Sequence, residues 1–258
     1  MRSRITSVLV VALLLASGHA LAQSRGATTG DITGVVSDDS GAAVGGASVT
    51  ARNPATGFER QAISNVSGGY ILPLLPPGRY DVTCELTGFS TILRRSVTAS
   101  IGSVSAVDFK LTVAQLAETV EVLAGASMIE PGKTQNATVV GPERIQNLPI
   151  NQRDFLAFAL TTPGVNSDRA PQLGAAANSG LSFSGQSARY NNIMIDGLDN
   201  NDNAVGSVRS TFSQEAIQEF QVLSSNFSAE YGRALGGVVN IVTKSGTNEW
   251  RGSAFFFD

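Results

Sequence analysis

The sequence has almost none of the side chains on which most enzyme active sites depend. Its 258 residues include one histidine, His19, and one cysteine, Cys84. Ser-His and Cys-His nucleophilic pairs and His-ligated zinc need an imidazole, and an intrachain disulfide needs a second cysteine. If processing removes His19, no imidazole remains. The sequence therefore predicts that the protein is not an enzyme and holds no metal ion or other cofactor.

Charge is also scarce, and neither sign dominates. Charged residues make up 15% of the chain, whereas about 25% is usual. The chain has 18 Lys and Arg against 21 Asp and Glu and no basic block, so it lacks the positive surface that nucleic acids attract. It is rich instead in Gly, Val, Thr and Ser, and the β-branched residues favour strands over helices. We expect a mostly β protein without a nucleic-acid partner.

The first 22 residues have the pattern of a secretory signal peptide. Arg2 and Arg4 precede an apolar run from Val8 to Ala16, and Ala20-Leu21-Ala22 is a small-x-small cleavage site. The apolar run is well short of the roughly 20 residues that a membrane-spanning helix needs, which argues against a transmembrane anchor. We predict cleavage after Ala22 and export of the remaining chain.

Residues 31–113 are predicted to form a small antiparallel β-sandwich. Apolar and polar side chains alternate in short runs separated by turn residues, as in strands with one buried face. The clearest run extends from Tyr80 to Leu86 and places Cys84 on its inward face. A reactive thiol would need exposure and a cationic neighbour, so Cys84 is predicted to be a small core residue. The other inward-facing residues are Ile32, Gly34, Val36, Ala47, Val49, Ala51, Val107, Phe109 and Leu111.

Five short stretches of this region form a characteristic succession. They are Gly34-Val35-Val36-Ser37-Asp38, Gly46-Ala47-Ser48-Val49, Gly69-Tyr70, Leu74-Leu75-Pro76-Pro77-Gly78-Arg79-Tyr80 and Gly88-Phe89. Together they resemble the carboxypeptidase regulatory-like domain. The resemblance implies a seven-stranded sandwich with a carbohydrate-binding-like fold, and it implies no peptidase activity, because this accessory domain holds none of the catalytic zinc ligands. Tyr70 and Tyr80 are candidates for stacking on a glycan, with packing in the core or at the sheet edge as the alternative.

A β-prone segment connects this region to the next. It comprises Glu118, Thr119, Val120, Glu121, Val122, Leu123 and Ala124. We call residues 118–124 the coupling segment. An extended segment of this kind can add as a strand to the sheet edge of a partner protein, whereas a last strand or a linker is the alternative. The segment also resembles the TonB box, the energy-coupling peptide of outer-membrane receptors, which implies TonB as its partner.

Residues 134–247 are predicted to form a small α+β domain, because short helices and strands alternate there with long polar loops. One helix opens at Pro142 and has Ile145 and Leu148 as its apolar contacts. The other predicted elements are a helix with Asn151 as N-cap that buries Phe155, Leu156, Ala159 and Leu160, a loop at 174–180, strands at Leu181 and Phe183 and at Ile193 and Ile195, a helix from Ser213 to Phe220, and strands at Val222 and at 237–243.

Three stretches of this second region give a longer and more specific signal. They are Asn147 to Phe155 with Thr162 to Val165, Tyr190 to Asp202, and Ile217 to Thr247. They resemble the plug domain of TonB-dependent receptors, in the Oar-like group that carries a carboxypeptidase regulatory-like extension. The motif residues that the resemblance singles out are Asp196, Gly197, Asp199, Asn200, Glu230, Tyr231, Gly232, Arg233, Gly236 and Gly237.

Other site chemistries fit these motifs poorly. Asp199, Asn201 and Asn203 imitate the start of a calcium loop, but Ala204 stands where that loop needs glycine and Ser210 where it needs glutamate. The glycines at 232–237 lack the spacing of a nucleotide-binding loop, and no Gly-Lys-Ser/Thr occurs. We therefore expect these glycines to serve turns and close backbone packing.

The two resemblances together imply the extension and plug of an outer-membrane receptor that takes up a large solute and is gated through TonB. Residues 250–258 are expected to begin a first barrel strand, with the rest of the barrel missing, and one strand cannot span a bilayer alone. The implied location is the cell outer membrane, although this part alone would be periplasmic. Siderophore, cobalamin, oligosaccharide and peptide remain open as solutes. The alternative is a secreted or surface module that binds carbohydrate or protein through the sandwich.

Overall fold

The computed structural model of the protein describes residues 28–113, 119–123, 135–147, 155–167, 180–202, 207–210, 213–250 and 252. The predicted signal peptide, Leu148, Asn151, Asn203, most of the loop at 174–180 and nearly all of the strand expected at 250–258 lie outside these residues. The described chain is mostly β, which confirms the fold class predicted from the sequence.

The first domain is built from short strands in two layers. Its strands are β1 (Gly30–Asp38), β2 (Ser48–Arg52), β3 (Glu59–Ile63), β4 (Gly69–Leu75), β5 (Gly78–Glu85), β6 (Thr91–Ala99), β7 (Val104–Ala106), β8 (Phe109–Leu111) and β9 (Thr119–Leu123). One sheet has the order β4-β1-β7, with β8 also paired to β1, and the other has the order β3-β2-β5-β6-β9. The domain is therefore a two-sheet sandwich.

The sandwich departs from the expected antiparallel pattern at two places. β1 pairs in parallel with β7 and β8, and β6 pairs in parallel with β9. β7 and β8 follow one another along β1, from Asp31↔Val104 to Asp38↔Leu111, and are two pieces of one interrupted strand. Counted as one, they leave seven strands before β9, as the resemblance implied. Gly34 lies at the interruption, where the backbone carbonyl of Val107 occupies the space that a Cβ atom would need.

The core between the two sheets contains the residues predicted from the period-two alternation. Ile32, Val36, Ala47, Val49 and Ala51 are buried, as are Tyr80, Val82, Cys84, Val107, Phe109 and Leu111. Burial, with a smaller contribution from the charge of Glu85, raises the pKa of the Cys84 thiol to about 12. A thiol with so high a pKa stays protonated, so Cys84 is an inert core residue, as predicted.

The second region, which we call the plug region after the resemblance of its motifs, centres on a five-stranded sheet of order β10-β17-β18-β13-β14. Its elements in chain order are β10 (Asn136–Val140), α1 (Pro142–Asn147), a 3-10 helix (Phe155–Thr161), β11 (Val165–Ser167), β12 (Leu181–Phe183), a 3-10 turn (Ala188–Tyr190), β13 (Asn192–Ile195), β14 (Leu198–Asp199), β15 (Asn201–Asp202), β16 (Ser207–Val208), a 3-10 turn (Gln214–Ala216), β17 (Ile217–Ser225), a 3-10 turn (Ala229–Tyr231) and β18 (Val238–Thr243). β11 pairs with β12, and β15 with β16, as separate two-stranded ladders.

Two predicted helices of this region are wrong in type or extent. The 155–161 helix is a 3-10 helix, in which residues three apart share a face. Leu156 and Ala159 share a face and are buried, as is Phe158, whereas Leu160, predicted to be buried, is exposed. The side chain of Phe155, also predicted to be buried, lies outside the described residues. The helix predicted from Ser213 to Phe220 is only a 3-10 turn at 214–216, because Ile217 onward pairs with β18. Sheet pairing here overrides the local helical pattern.

The plug sheet is buried on both faces. On one face, Phe220 lies opposite Ile241 and Val222 opposite Val239, within the main hydrophobic core of the region. The other face carries polar residues: Gln221 lies opposite Asn240, and both are fully buried. Buried amides need hydrogen-bond partners. For Gln221, the partner comes from the first domain.

Candidate functional site

The coupling segment lies at the edge of the sandwich. Its residues 119–123 form β9, which runs parallel to β6 in a register that pairs Thr91 with Thr119 and Arg95 with Leu123. Glu118 and Ala124 lie outside the described residues. The segment is therefore extended, as its β-prone sequence predicted, and it is also a strand of the first domain.

The motif at Asp196-Gly197 forms the tight turn of a β-hairpin. Asp196 (φ 51°) and Gly197 (φ 80°) join β13 to β14, and two successive residues of positive φ are typical of a two-residue hairpin turn. The Asp196 carboxylate also accepts hydrogen bonds from the backbone N–H of Thr243 at 2.8 Å and from its hydroxyl at 2.7 Å. Asp196 thereby ties the turn to the end of β18.

A network of side chains joins the two halves of the plug motif. Asp199 accepts hydrogen bonds from the backbone N–H of Asn201 at 2.8 Å and from its side-chain amide at 2.6 Å, and its other oxygen lies 2.9 Å from the Arg233 guanidinium. The Asn201 amide also donates to Asn192 at 2.8 Å, and Asn192 donates to the backbone carbonyl of Tyr231. The loop at 199–201 is thus fixed to the turn at 229–233.

The Asp199 carboxylate is held in its charged form. Burial acts to raise its pKa, but the hydrogen bonds from Asn201 and the charge of Arg233 outweigh burial, so the pKa is lowered. Because hydrogen-bond donors and a cation already engage both oxygens, Asp199 is a structural anchor rather than a cation ligand. The side chains of Asp199 and Arg233 are largely exposed, so their ion pair adds little to stability.

Asn200 closes the base of the same loop. Its side-chain amide donates to the carbonyl of Ser210 at 3.0 Å, and its side-chain oxygen accepts from the Ser210 hydroxyl at 2.9 Å. The backbone N–H of Asn200 donates to the carbonyl of Ile193 at 2.9 Å. Asn200 therefore connects β13 to the chain that returns after β16.

The motif glycines permit close packing at the start of β18. A Cβ atom on Gly236 would lie 2.5 Å from the side-chain oxygen of Asn191, and one on Gly237 would overlap the buried ring of Phe183. Gly232 has a positive φ of 48°. These contacts support the expectation that the glycines serve backbone packing. Burial raises the pKa of Tyr231 to about 12, so its phenol remains neutral.

The sandwich and the plug are joined by a contact that the sequence did not reveal. The turn after β6 brings Ile101 against β17, where its backbone N–H donates to the Glu219 carboxylate at 2.8 Å. The Gln221 amide donates to the Ile101 carbonyl at 3.2 Å. We call these three residues the Ile101 clasp. All three are buried, and burial raises the pKa of Glu219 despite its hydrogen bonds to Ile101 and Ser100.

Sequence reasoning missed Glu219 because it placed residues 213–220 in a helix, and it gave Gln221 no role. In a strand, these two residues share one face, which a period-two analysis would have shown as polar positions within an apolar strand. Two more contacts join the domains: Arg79 lies 2.5 Å from Glu143, and Asn248 donates from its backbone to the carbonyl of Ala55 at 3.2 Å.

The glycan candidates are core residues. Tyr70 and Tyr80 are 6% and 0% exposed. The Tyr70 hydroxyl donates to the Val107 carbonyl at 2.6 Å, and the Tyr80 hydroxyl donates to the Pro76 carbonyl at 2.8 Å. The structure favours the packing alternative, because neither ring offers a face on which a sugar could stack.

The described site residues provide polar anchoring of loops and turns. The described residues contain no group of three or more His, Cys, Asp or Glu side chains placed to hold a metal ion. Within the same ranges, no helix has the length and apolar character needed to cross a membrane. What the arrangement supplies is a strand at a sheet edge, a clasp between domains and a fixed set of plug loops.

Two family models match the chain. The carboxypeptidase regulatory-like domain matches residues 31–112, and the TonB-dependent receptor plug domain matches residues 132–238. Among curated proteins, the chain is similar to the TonB-dependent transporter Oar of Myxococcus xanthus, with 31% identity over 98% of this chain and 23% of that protein. It is also similar to the probable TonB-dependent siderophore receptor PirA of Acinetobacter baumannii, with 32% identity over 46% of this chain and 18% of that protein.

The chain therefore spans about a quarter or less of the length of these curated relatives. Among solved structures, it is similar to the outer membrane transporter YddB from Escherichia coli, with 23% identity over 42% of this chain and 17% of that chain and a TM-score of 0.34. The resemblances to the carboxypeptidase regulatory-like domain and to the plug domain are confirmed by the two family models and by Oar, as is the prediction that the chain belongs to no enzyme class.

Proposed function

The chain belongs to the family of TonB-dependent receptors, with a carboxypeptidase regulatory-like domain ahead of its plug domain, and we propose that it takes part in active uptake of a large solute across the cell outer membrane. In this proposal the first domain is the extension and the second is the plug that closes the transport path. The plug motif serves to fix the loops of the plug, through Asp196, Asp199 and Asn200.

The proposed energy source is TonB, which binds the coupling segment by strand addition and pulls on it. TonB transmits the proton-motive force of the inner membrane, and the plug then rearranges to open a path. The observation that carries this proposal is β9: residues 119–123 are extended and form the last described strand of a sandwich sheet, and they precede the plug domain in the chain. An extended edge segment suits recognition through main-chain hydrogen bonds.

A pull-down of residues 23–258 with the periplasmic domain of TonB tests this proposal. We expect Val120→Pro to weaken TonB binding by about tenfold or more, because proline removes a backbone hydrogen-bond donor from the coupling segment. Each tenfold loss of affinity corresponds to about 1.4 kcal/mol. Unchanged binding in this variant, or no binding of the unaltered chain, would count against coupling through residues 118–124.

Val66→Pro is the matched control. Val66 is highly exposed and is the second residue of a turn that closes with a hydrogen bond from the Gly68 N–H to the Asn65 carbonyl at 2.8 Å. Proline is favoured at this position of a β-turn. The control variant should bind TonB as the unaltered chain does, so a loss in both variants would indicate general damage to the fold.

The solute stays open among siderophore, cobalamin, oligosaccharide and peptide. The alternative function is a secreted or surface module that binds carbohydrate or protein through the sandwich. Tyr70 and Tyr80 do not support carbohydrate binding, because both rings are buried. Binding of the chain to a glycan array, combined with no binding to TonB, would favour that alternative.

A further inference from the structure

Among the described strands, β9 is the last one of its sheet and is paired on one side. Its inner side pairs with β6 over five residue pairs, from Thr91↔Thr119 to Arg95↔Leu123. In the part of the chain that the structure describes, no other strand pairs with its outer side. An edge of this kind presents a row of backbone N–H and C=O groups to another strand.

The other edge strands of the sandwich are β3, β4 and the interrupted pair β7 and β8, and each is charged or irregular. At the opposite end of the same sheet, β3 has Glu59 and Arg60 among its five residues. In the second sheet, β4 contains Pro73, and the next residue, Leu74, has a positive φ of 57°. Charges, proline and local irregularities are the usual protection of a sheet edge. β9 has a single charged residue, Glu121, and no proline.

We propose that TonB adds its strand to the outer side of β9 while β9 stays paired with β6. This inference rests on the proposed function and assigns a role to the first domain: it is the platform that presents the coupling segment. The strand of TonB would then continue the five-stranded sheet as its sixth strand. Because β6 already holds the backbone of residues 119–123 extended, the ordering of that backbone does not oppose TonB binding.

Addition on the outer side is favoured over displacement of β9 from β6. A strand has two sides, and strand addition needs one of them. Displacement would break the five residue pairs with β6 and would leave those backbone groups of Thr91 to Arg95 that face β9 without their sheet partners. Addition of TonB to the outer side of β9 forms the same number of new backbone hydrogen bonds and keeps the pairing between β6 and β9.

A disulfide between β6 and β9 separates the two modes. Leu93 and Glu121 are register partners at the centre of the five-pair ladder between β6 and β9. A disulfide formed by Leu93→Cys and Glu121→Cys therefore locks this pairing and leaves only two residue pairs on each side of it. Cys84 can stay, because it is fully buried and its thiol pKa is raised to about 12. The binding of TonB to residues 23–258 of this variant is measured in the oxidised form and again after reduction.

We expect the oxidised chain to bind TonB with a Kd within about twofold of the reduced chain. A loss of more than tenfold on oxidation, recovered by reductant, would overturn the inference, because it would mean that the sandwich must release β9. Failure of the two cysteines to form a disulfide would also overturn it while leaving TonB binding of the unaltered chain intact. If the unaltered chain does not bind TonB, the proposed function itself fails, and this inference fails with it.

Hydrogen exchange on the unaltered chain gives a second test without substitutions. On TonB binding, residues 119–123 should gain protection and residues 91–95 should keep theirs. The uncharged strand β10 (Asn136–Val140), at the edge of the plug sheet, is the internal control and should not change. Loss of protection at 91–95, or a gain at β10 in place of β9, would contradict addition to the outer side of β9.

Discussion

Glu219 is the residue whose ionisation bears most directly on how the two domains fit together. It is 4% exposed and accepts the backbone N–H of Ile101, and burial raises its pKa above the ordinary value of 4.5. The folded chain therefore holds this proton more tightly than the unfolded chain. The resulting stabilisation is complete below pH 4.5 and is lost as the pH rises through the folded-state pKa.

We predict that Glu219→Gln stabilises residues 23–258 at neutral pH and has less effect toward pH 4.5. The amide keeps an oxygen acceptor for Ile101 but carries no buried charge, and each unit of the raised pKa corresponds to about 1.4 kcal/mol. Urea unfolding at several pH values between 4.5 and 8 measures the difference. Glu230→Gln, a matched carboxylate-to-amide change at an exposed position, is the control for the substitution itself. A stability difference that is constant with pH would disprove the assignment.

At the scale of elements, the contact between β12 and the start of β18 sets the packing of the plug. Gly237 precedes β18, and a Cβ atom there would overlap the ring of Phe183, which is fully enclosed in the plug core. We predict that Gly237→Ala destabilises the chain by about 1–3 kcal/mol, as overpacking of a core does. Gly246→Ala, with open space around its added Cβ, should change stability by less than about 0.5 kcal/mol. Thermal unfolding of both variants compares them, and equal effects would refute this packing argument.

The elements also show how far sequence reasoning reached. Alternation identified the sandwich core correctly, because each strand there has one buried face. It failed at 213–220, where Ile217 and Phe220 have the three-residue spacing of a helical face. The chain there pairs with β18, and an irregularity between Ile217 and Glu219 lets both side chains enter the same core. The parallel pairing of β6 with β9 and the Ile101 clasp join residues far apart in the chain, and no local pattern specifies such contacts.

At the scale of the whole molecule, strand β6 links the coupling segment to the plug. One side of β6 pairs with β9, and the chain leaves β6 directly into the turn that carries Ile101 to Glu219 and Gln221. The turn needs a glycine: Gly102 has a φ of 61°, and an added Cβ would lie 2.8 Å from the Gln221 amide nitrogen. The Ile101 clasp, one of the contacts between the sandwich and the plug, therefore depends on one backbone position in the first domain.

We predict that Gly102→Ala loosens this docking. The added methyl group displaces the Gln221 amide that bonds to Ile101, and the left-handed backbone conformation adds strain of about 1 kcal/mol or more. Hydrogen exchange at the Ile101 amide, which is protected by Glu219, should accelerate by about tenfold or more, since tenfold corresponds to about 1.4 kcal/mol.

Gly41→Ala is the matched control, because Gly41 has a φ of 84° and nothing within 4 Å of its added Cβ. It imposes similar strain on the sandwich without touching the plug, so equal acceleration at Ile101 in both variants would show that strain in the sandwich, and not the contact with Gln221, controls the exchange.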